Sequence, residues 1–344
     1  MSIFAAAMKK KDTKKVKTQL QVLEGFAGYG GASFALRRLK RRGFLDFTTI
    51  GFSEIDEKAI EIYKLNFPKI VNFGSISDID ETTLPDFNFF TGGFPCQPFS
   101  TAGNRGGELD SRGTLFNDII RICEFKKPSY ILLENVQGLT IGKLRPTYEK
   151  IQNELRRIGY DIQCRLLNSK DYGIPQNRSR LWIFGVHGQL PEGFELAPPT
   201  IKLTHRLKDF LDNNPPEELY RSAKQLAHIH EIHKNAPFDV DEPLCYDYYN
   251  RKIRTDGICM TITPPEHNVV RIVEPMVDGK ERFRKLTIDE HYRLMGFRID
   301  EKVREIKYPE GQTYSELGRR AGNGWDISLV TLLLKHIFSQ MQEF

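Results

Sequence analysis

The chain has 344 residues, 40% of them hydrophobic and 28% charged, with a net charge of +5. That is enough for one large domain carrying an insertion, or for two domains, of ordinary soluble composition. No apolar run approaches the roughly 20 residues that cross a bilayer, so no membrane partner is expected, and the modest basic excess suits a polyanion.

Residues 1–18 hold six lysines against one aspartate and no secretory apolar core, and read as a basic flexible tail. Gln19–Phe26 reads as a strand running into Ala27-Gly28-Tyr29-Gly30-Gly31, with a helix over Ala32–Arg42 stopped by Gly43. Phe47–Phe52 is the next strand, ending at Glu54-Ile55-Asp56, and Glu57–Leu65 the next helix. A strand at Phe87–Phe90 leads into Gly93-Phe94-Pro95-Cys96-Gln97-Pro98-Phe99-Ser100. A helix over Leu115–Phe125, a strand Tyr130–Leu133 ending at Glu134, a helix Thr147–Ile158 stopped by Gly159, and strands Ile162–Leu167 and Arg180–Val186 follow. This alternation predicts an α/β sheet. After His187 the pattern changes: Gly188–Pro199 and Asn213-Asn214-Pro215-Pro216 are breakers, and the stretch to about Asp278 is irregular, aromatic and basic. Helical periodicity returns over Ile288–Met295 and Ile327–Phe338.

Three constellations carry chemistry. A glycine loop at a strand-to-helix turn lets backbone N–H groups approach a nucleotide-like cofactor, and an acid ending the next strand, Glu54, suits ribose hydroxyls. The rival is a tight turn with surface acids. Cys96 sits between two prolines, which fix φ and donate no N–H, so it belongs neither in a helix nor in a central strand. A buried structural thiol is the commoner fate of a lone cysteine, but the polar, glycine-containing run Ser100–Arg112 behind it resembles a lid. Glu134, after Ile131-Leu132-Leu133, is placed for partial burial and acid catalysis, against the rival of a surface ion pair. Arg178 and Arg180 alternate on entry to a strand. The five cysteines show no metal-ligand spacing, which predicts free thiols, a cytoplasmic setting and no metal.

In this order the residues resemble the cytosine-5 DNA methyltransferases of bacterial or phage restriction–modification systems. The resemblance runs from about Leu20 to Val330. The family's Phe-x-Gly-x-Gly-Gly loop is Phe26–Gly31, and its acidic second-strand end is Glu54-Ile55-Asp56. The Pro-Cys-Gln loop is Pro95–Gln97, the Arg-Gly-x-Leu-Phe element Arg112–Phe116, Glu-Asn-Val is Glu134–Val136, and Gln-x-Arg-x-Arg is Gln176–Arg180. Arg284–Phe297 matches the late structural motif and Gly322-Asn323 the last cofactor motif. It departs from the family twice: Gly74-Ser75-Ile76 lacks the usual Asp, so either Ser75 or Asp78 substitutes or that hydrogen bond is missing, and Gly324-Trp325 follows Asn323.

The resemblance implies a Rossmann-like S-adenosylmethionine-dependent methyltransferase domain with a smaller, irregular target-recognition domain. The expected division is a tail (1–18), a catalytic and cofactor-binding domain (19–187), a target-recognition domain (188–307) and a returning C-terminal segment (308–344). It implies methylation of carbon 5 of a flipped-out cytosine in double-stranded DNA through a covalent Cys96 adduct, releasing S-adenosylhomocysteine. The catalytic set is Cys96, Glu134, Arg178 and Arg180. Cofactor contacts fall to Phe26, Gly28, Tyr29, Gly30, Gly31, Glu54, Ile55, Asp56, Ser75, Ile76, Pro95, Leu115, Asn323 and Gly324. DNA contacts fall to Ser100, Arg112, Tyr248, Arg251, Lys252, Arg254, Thr261 and Ile262, and the basic ones read guanine edges or hold phosphates. A monomer in a prokaryotic or phage-infected cytoplasm, paired with a cognate restriction endonuclease, is expected. The rivals are a tRNA cytosine-5 methyltransferase, a catalytically silent DNA-binding relative, and a cysteine hydrolase, which would need a histidine base that no motif supplies.

Overall fold

A computed structural model describes residues 19–95, 114–232, 240–248, 250–264 and 270–341. The chain divides into two compact units: the first comprises the residues through Leu167, Ser179–Pro199 and the chain from Val330, the second Asn168–Arg178 and Thr200–Leu329. Residues 168–178, expected in the catalytic domain, and 308–329, expected in the returning segment, both group with the second unit instead.

The first unit is built on strands β1 (Gln19–Gly25), β2 (Asp46–Ser53), β3 (Phe89–Gly93), β4 (Tyr130–Val136), β5 (Tyr160–Asn168) and β6 (Ser179–His187), in the order β2-β1-β3-β4-β6-β5. Strands β1, β2, β3 and β4 pair in parallel, whereas β6 runs antiparallel to β4. Apolar residues at successive positions, such as Ile131, Leu132 and Leu133, are all buried, as expected of a sheet covered on both faces. Helices α1 (Gly31–Arg41), α2 (Glu57–Asn66), α3 (Thr114–Lys126) and α4 (Arg145–Arg157) connect the strands. Gly43 and Gly159, read as helix stops, have φ of 68° and 93°, left-handed values that a residue with a Cβ seldom adopts. Ile119, Ile122, Ile151 and Leu155 from α3 and α4 join Leu23, Phe90, Ile131 and Ile183 of the sheet in one core. Because β2 and β3 lie on opposite sides of β1, the chain reverses direction across the sheet there. Open α/β sheets bind ligands beyond the strand ends at such a point.

The second unit contains a four-stranded sheet, β7 (Leu244–Asp247), β8 (Lys252–Arg254), β9 (Val270–Val277) and β10 (Lys280–Arg284), ordered β10-β9-β7-β8 with antiparallel pairing. It therefore corrects the expectation of an irregular region. Ile229 of α5 (Ala223–Ile232) packs with Tyr246, Val273 and Phe283 in a small core. Next come α6 (Ile288–Leu294) and α7 (Tyr314–Asn323), each begun by a threonine capping box. Arg284 and Glu290, both fully buried, form a two-bond ion pair at 2.8 Å, and Glu274 takes the Arg284 Nε. Helix α8 (Ile327–Ser339) brings Phe338 edge-on to Phe89 and Tyr130 of the large sheet.

Candidate active site

The glycine loop leaves β1 through left-handed residues: Phe26 at φ 51°, Gly28 at 55° and Gly30 at 96°. Gly30 caps α1, and a Cβ on it would stand 2.9 Å from the Tyr63 ring, so only glycine fits. Beneath the loop lies a buried cluster. Glu24 accepts hydrogen bonds from the Tyr63 hydroxyl at 2.6 Å, from the Ser33 hydroxyl, and from the Ser33 N–H at 3.3 Å. Burial pushes the Glu24 carboxyl up, against the pull of those donors. Glu24 was not among the expected site residues. An acid inside the apolar run Val22-Leu23-Glu24-Gly25 was the available signal.

Glu54 faces this loop. Its Oε2 accepts from the Gly28 N–H at 2.8 Å, and its Oε1 from the Ile55 and Asp56 N–H groups at 2.9 Å each. With Oε1 fully used, Oε2 keeps an acceptor position for a ligand hydroxyl. Asn72, also missed, fixes the Glu54 backbone: its side chain accepts from the Glu54 N–H at 3.3 Å and donates to the Glu54 carbonyl at 3.0 Å. A Cβ on Gly28 would meet nothing within 4 Å, so space is open over the loop, and Ile55 beside it is 73% exposed. Open space over turned backbone, a fixed carboxylate and a bare apolar side chain fit a nucleoside with a free ribose edge.

Other expected cofactor residues are engaged within the protein. The Tyr29 side chain is 1% exposed and edge-on to Phe34, and Ile76 is 3% exposed, so each can offer a ligand backbone alone. Asp56 caps α2 by accepting from Lys58 and Ala59, and the Ser75 hydroxyl accepts from the Ser77 N–H. Leu115 packs against the core.

At the ends of β3 and β4, Gly93 pairs with Glu134. Arg180 enters from the antiparallel β6, and its Nε lies 3.0 Å from Glu134 Oε1, the two side chains being 16% and 12% exposed. Burial pushes the Arg180 guanidinium down, and Glu134 opposes that shift. Asn135, 3% exposed, donates from Nδ2 to the Phe94 carbonyl at 3.0 Å and accepts the Val136 N–H at 2.8 Å. Asn135 thus ties β4 to the backbone immediately before Pro95, which is exposed. Cys96, Ser100 and Arg112 lie outside the described residues.

Arg178, expected in the catalytic set, is 2% exposed and differently employed. Its guanidinium donates to the carbonyls of Ile262 (2.7 Å), Gly322 (2.9 Å) and Gly324 (2.8 Å). It braces the second unit, because the chain enters β6 only at Ser179 and Arg178 is not on that strand. A Cβ on Gly322 would lie 2.4 Å from the Thr263–Pro264 backbone, so that glycine permits the close approach which Arg178 fastens. Ile262, expected to touch DNA, is 1% exposed, with its N–H on Gln176 and its carbonyl on Arg178. Thr261 donates its hydroxyl to the Asn177 carbonyl at 2.6 Å. Tyr248 packs against the small core, and Arg254 is held by both oxygens of Asp256. Arg251 and Lys252 are exposed at the β7–β8 hairpin, and Asn323 is exposed at the end of α7. Among the described residues no three His, Cys, Asp or Glu side chains are grouped to hold a metal ion, and no helix is long and apolar enough to cross a membrane.

The sequence pattern described as C-5 cytosine-specific DNA methylase matches residues 20–343. The type II methyltransferase M.HhaI of Haemophilus parahaemolyticus is 32% identical over 310 residues, covering 88% of this chain and 91% of that protein. The type II methyltransferase M.NlaIV of Neisseria lactamica is 36% identical over 216 residues, 60% of this chain and 50% of that protein. Against relatives of the latter kind the chain spans about half their length. The Dnmt2 methyltransferase of S. pombe shares the fold, with a TM-score of 0.71 at 23% identity over 93% of this chain and 98% of that one.

Proposed function

This chain belongs to the C-5 cytosine-specific DNA methylase family, and we propose that it methylates carbon 5 of cytosine in a specific duplex DNA site, as the modification enzyme of a restriction–modification system in a bacterial or phage-infected cytoplasm. One observation carries the reading: the Glu134–Arg180 pair, nearly buried, stands beside Gly93 at the strand end from which the Pro95-Cys96 loop departs.

Carbon 5 of cytosine is a weak nucleophile. The Cys96 thiolate adds to carbon 6, a new C–S bond forms, and the displaced electron pair makes carbon 5 enamine-like. Glu134 hydrogen-bonds ring nitrogen 3, where that charge collects, and Arg180 holds Glu134 in place while presenting its own cation to the exocyclic oxygen. The Phe26–Gly31 loop and Glu54 would hold S-adenosylmethionine, which would supply an electrophilic methyl group for carbon 5. Loss of the carbon-5 proton to a base then expels Cys96 and restores the ring. A duplex hides these atoms, so the cytosine must be flipped out, at a cost of a few kcal/mol.

Tritium-methyl transfer to duplex DNA, with tRNA as the parallel substrate, tests the reading. Label in DNA, together with a covalent adduct between Cys96 and 5-fluorocytosine DNA, is expected. Label in tRNA alone, or no adduct in DNA that is methylated, refutes it.

A further inference from the structure

The basic residues that the sequence singled out for DNA contact are partly neutralised, since Arg254 is clamped by Asp256. Uncompensated charge lies elsewhere in the second unit. Arg271 stands on β9, paired across the sheet with Tyr246. Lys285 follows directly on the Arg284–Ile272 pairing of β10 with β9, which brings it opposite Arg271. Arg221 is hydrogen-bonded to the same strand, its N–H donating to the Phe283 carbonyl at 2.9 Å, while the Lys285 N–H donates to the Leu219 carbonyl at 3.1 Å. Three cations from three segments are thereby fixed by backbone pairing into one cluster.

Among the described residues no carboxylate is paired with them. The nearby acids Glu274 and Glu290 are taken by Arg284. Arg271 donates Nη1 to the Val270 carbonyl at 3.0 Å, and its buried Nε meets no partner among the described residues. Lys285 Nζ lies 5.1 Å from the Tyr314 ring centroid, an apolar seat that does not neutralise it. The electrostatics agree with this placement: burial and then Arg221 push Arg271 down to about 10, and burial followed by Arg271 and Arg221 pushes Lys285 down. A positive cluster held together against its own field is stabilised by an anion.

We propose that Arg221, Arg271 and Lys285 form a phosphodiester-binding site that grips the backbone of duplex DNA. The site rests on the reading of the protein as a DNA methyltransferase and adds the place where its second unit holds the duplex irrespective of sequence. Base choice then falls to other residues, because phosphate contacts position the duplex and carry no sequence information.

The test measures binding of the full-length protein to two duplexes of unrelated sequence as a function of salt, for the wild type and for Arg221→Gln, Arg271→Gln and Lys285→Gln. Each lost phosphate contact lowers the slope of log K against log salt by about 0.9, and lowers it equally for both duplexes. S-adenosylhomocysteine binding is expected to stay at the wild-type value. Slopes unchanged in all three variants, while the wild type still methylates DNA, overturn the site and leave the methyltransferase reading standing. A slope change confined to one duplex also overturns it, because that is base reading. A wild type that puts no methyl into DNA removes the site and the reading together. Should Arg271→Gln fail to fold, the more peripheral Arg221→Gln and Lys285→Gln decide the matter.

Discussion

Replacing Asn135 by alanine isolates the tie between β4 and the nucleophile loop. Asn135 is buried, and its Nδ2 is 3.0 Å from the Phe94 carbonyl, two residues before Cys96. Alanine leaves that carbonyl without its donor and the Val136 N–H without its acceptor. A buried polar group left unsatisfied costs about 1–3 kcal/mol. If the loop escapes the penalty by leaving its place, the productive geometry is depopulated by roughly 5–150-fold, the ratio that such an energy gives. The single-turnover rate of methyl transfer should fall by that factor, while the S-adenosylhomocysteine dissociation constant stays unchanged, since Asn135 has no bond to the Phe26–Gly31 loop. Quench-flow with saturating DNA and isothermal calorimetry measure the two quantities. A single-turnover rate equal to wild type in a folded protein would refute the argument, as would an equal loss of cofactor affinity.

Cys96→Ser should abolish methyl incorporation yet retain DNA binding, because a hydroxyl is a far weaker nucleophile at neutral pH; turnover near wild type in a tritium assay would remove Cys96 from the mechanism. Glu54→Gln removes the charge and replaces one of two oxygens that accept backbone N–H groups by an NH2 that cannot accept, and hydrogen bonds to charged groups contribute about 1.5–3 kcal/mol. S-adenosylhomocysteine should therefore bind roughly tenfold weaker or worse by calorimetry. Arg178→Met should lower the melting temperature, because two buried carbonyls and one part-buried carbonyl lose their donor, the buried ones at about 1–3 kcal/mol each; a variant as stable as wild type but slow in chemistry would return Arg178 to the catalytic set. Burial pushes the His291 imidazole down from 6.5 to about 4. The unfolded chain thus takes up this proton first, and stability that is full above pH 6.5 should fall as the pH drops to about 4. His291→Gln should flatten that part of the melting-temperature profile, and an unchanged slope would show that another group sets it.

The parallel strands were legible because each is a short apolar run ended by glycine, proline or an acid, and each end carried a recognisable loop. Their spatial order was not, since nothing local to β6 says that it pairs antiparallel with β4. That pairing brings Arg180 to Glu134. The small sheet of the second unit escaped notice because two of its strands are short and charged: β8 is only Lys252–Arg254, and β10 reads Lys-Glu-Arg-Phe-Arg. Arg178 and Arg180 alternate on entry to a strand, but the strand begins between them, and Arg178 serves three carbonyls instead. Asn72 and Asn135 were overlooked for a common reason. Each acts on backbone geometry, and a sequence does not display which carbonyl or N–H will need a partner.

The edge-on contact of Phe338 with Phe89 and Tyr130 bears on how the molecule is made. Those two aromatic rings sit on the central strands that carry the active-site loops, yet the side chain that covers them is translated only after the whole of Thr200–Leu329. On the ribosome, this part of the large sheet stays uncovered while the second unit emerges, and bare apolar surface of that kind is where nascent chains misassociate or recruit chaperones. Nonsense codons falling within α8 should for that reason yield insoluble protein, although every residue of the proposed chemistry has already been synthesised.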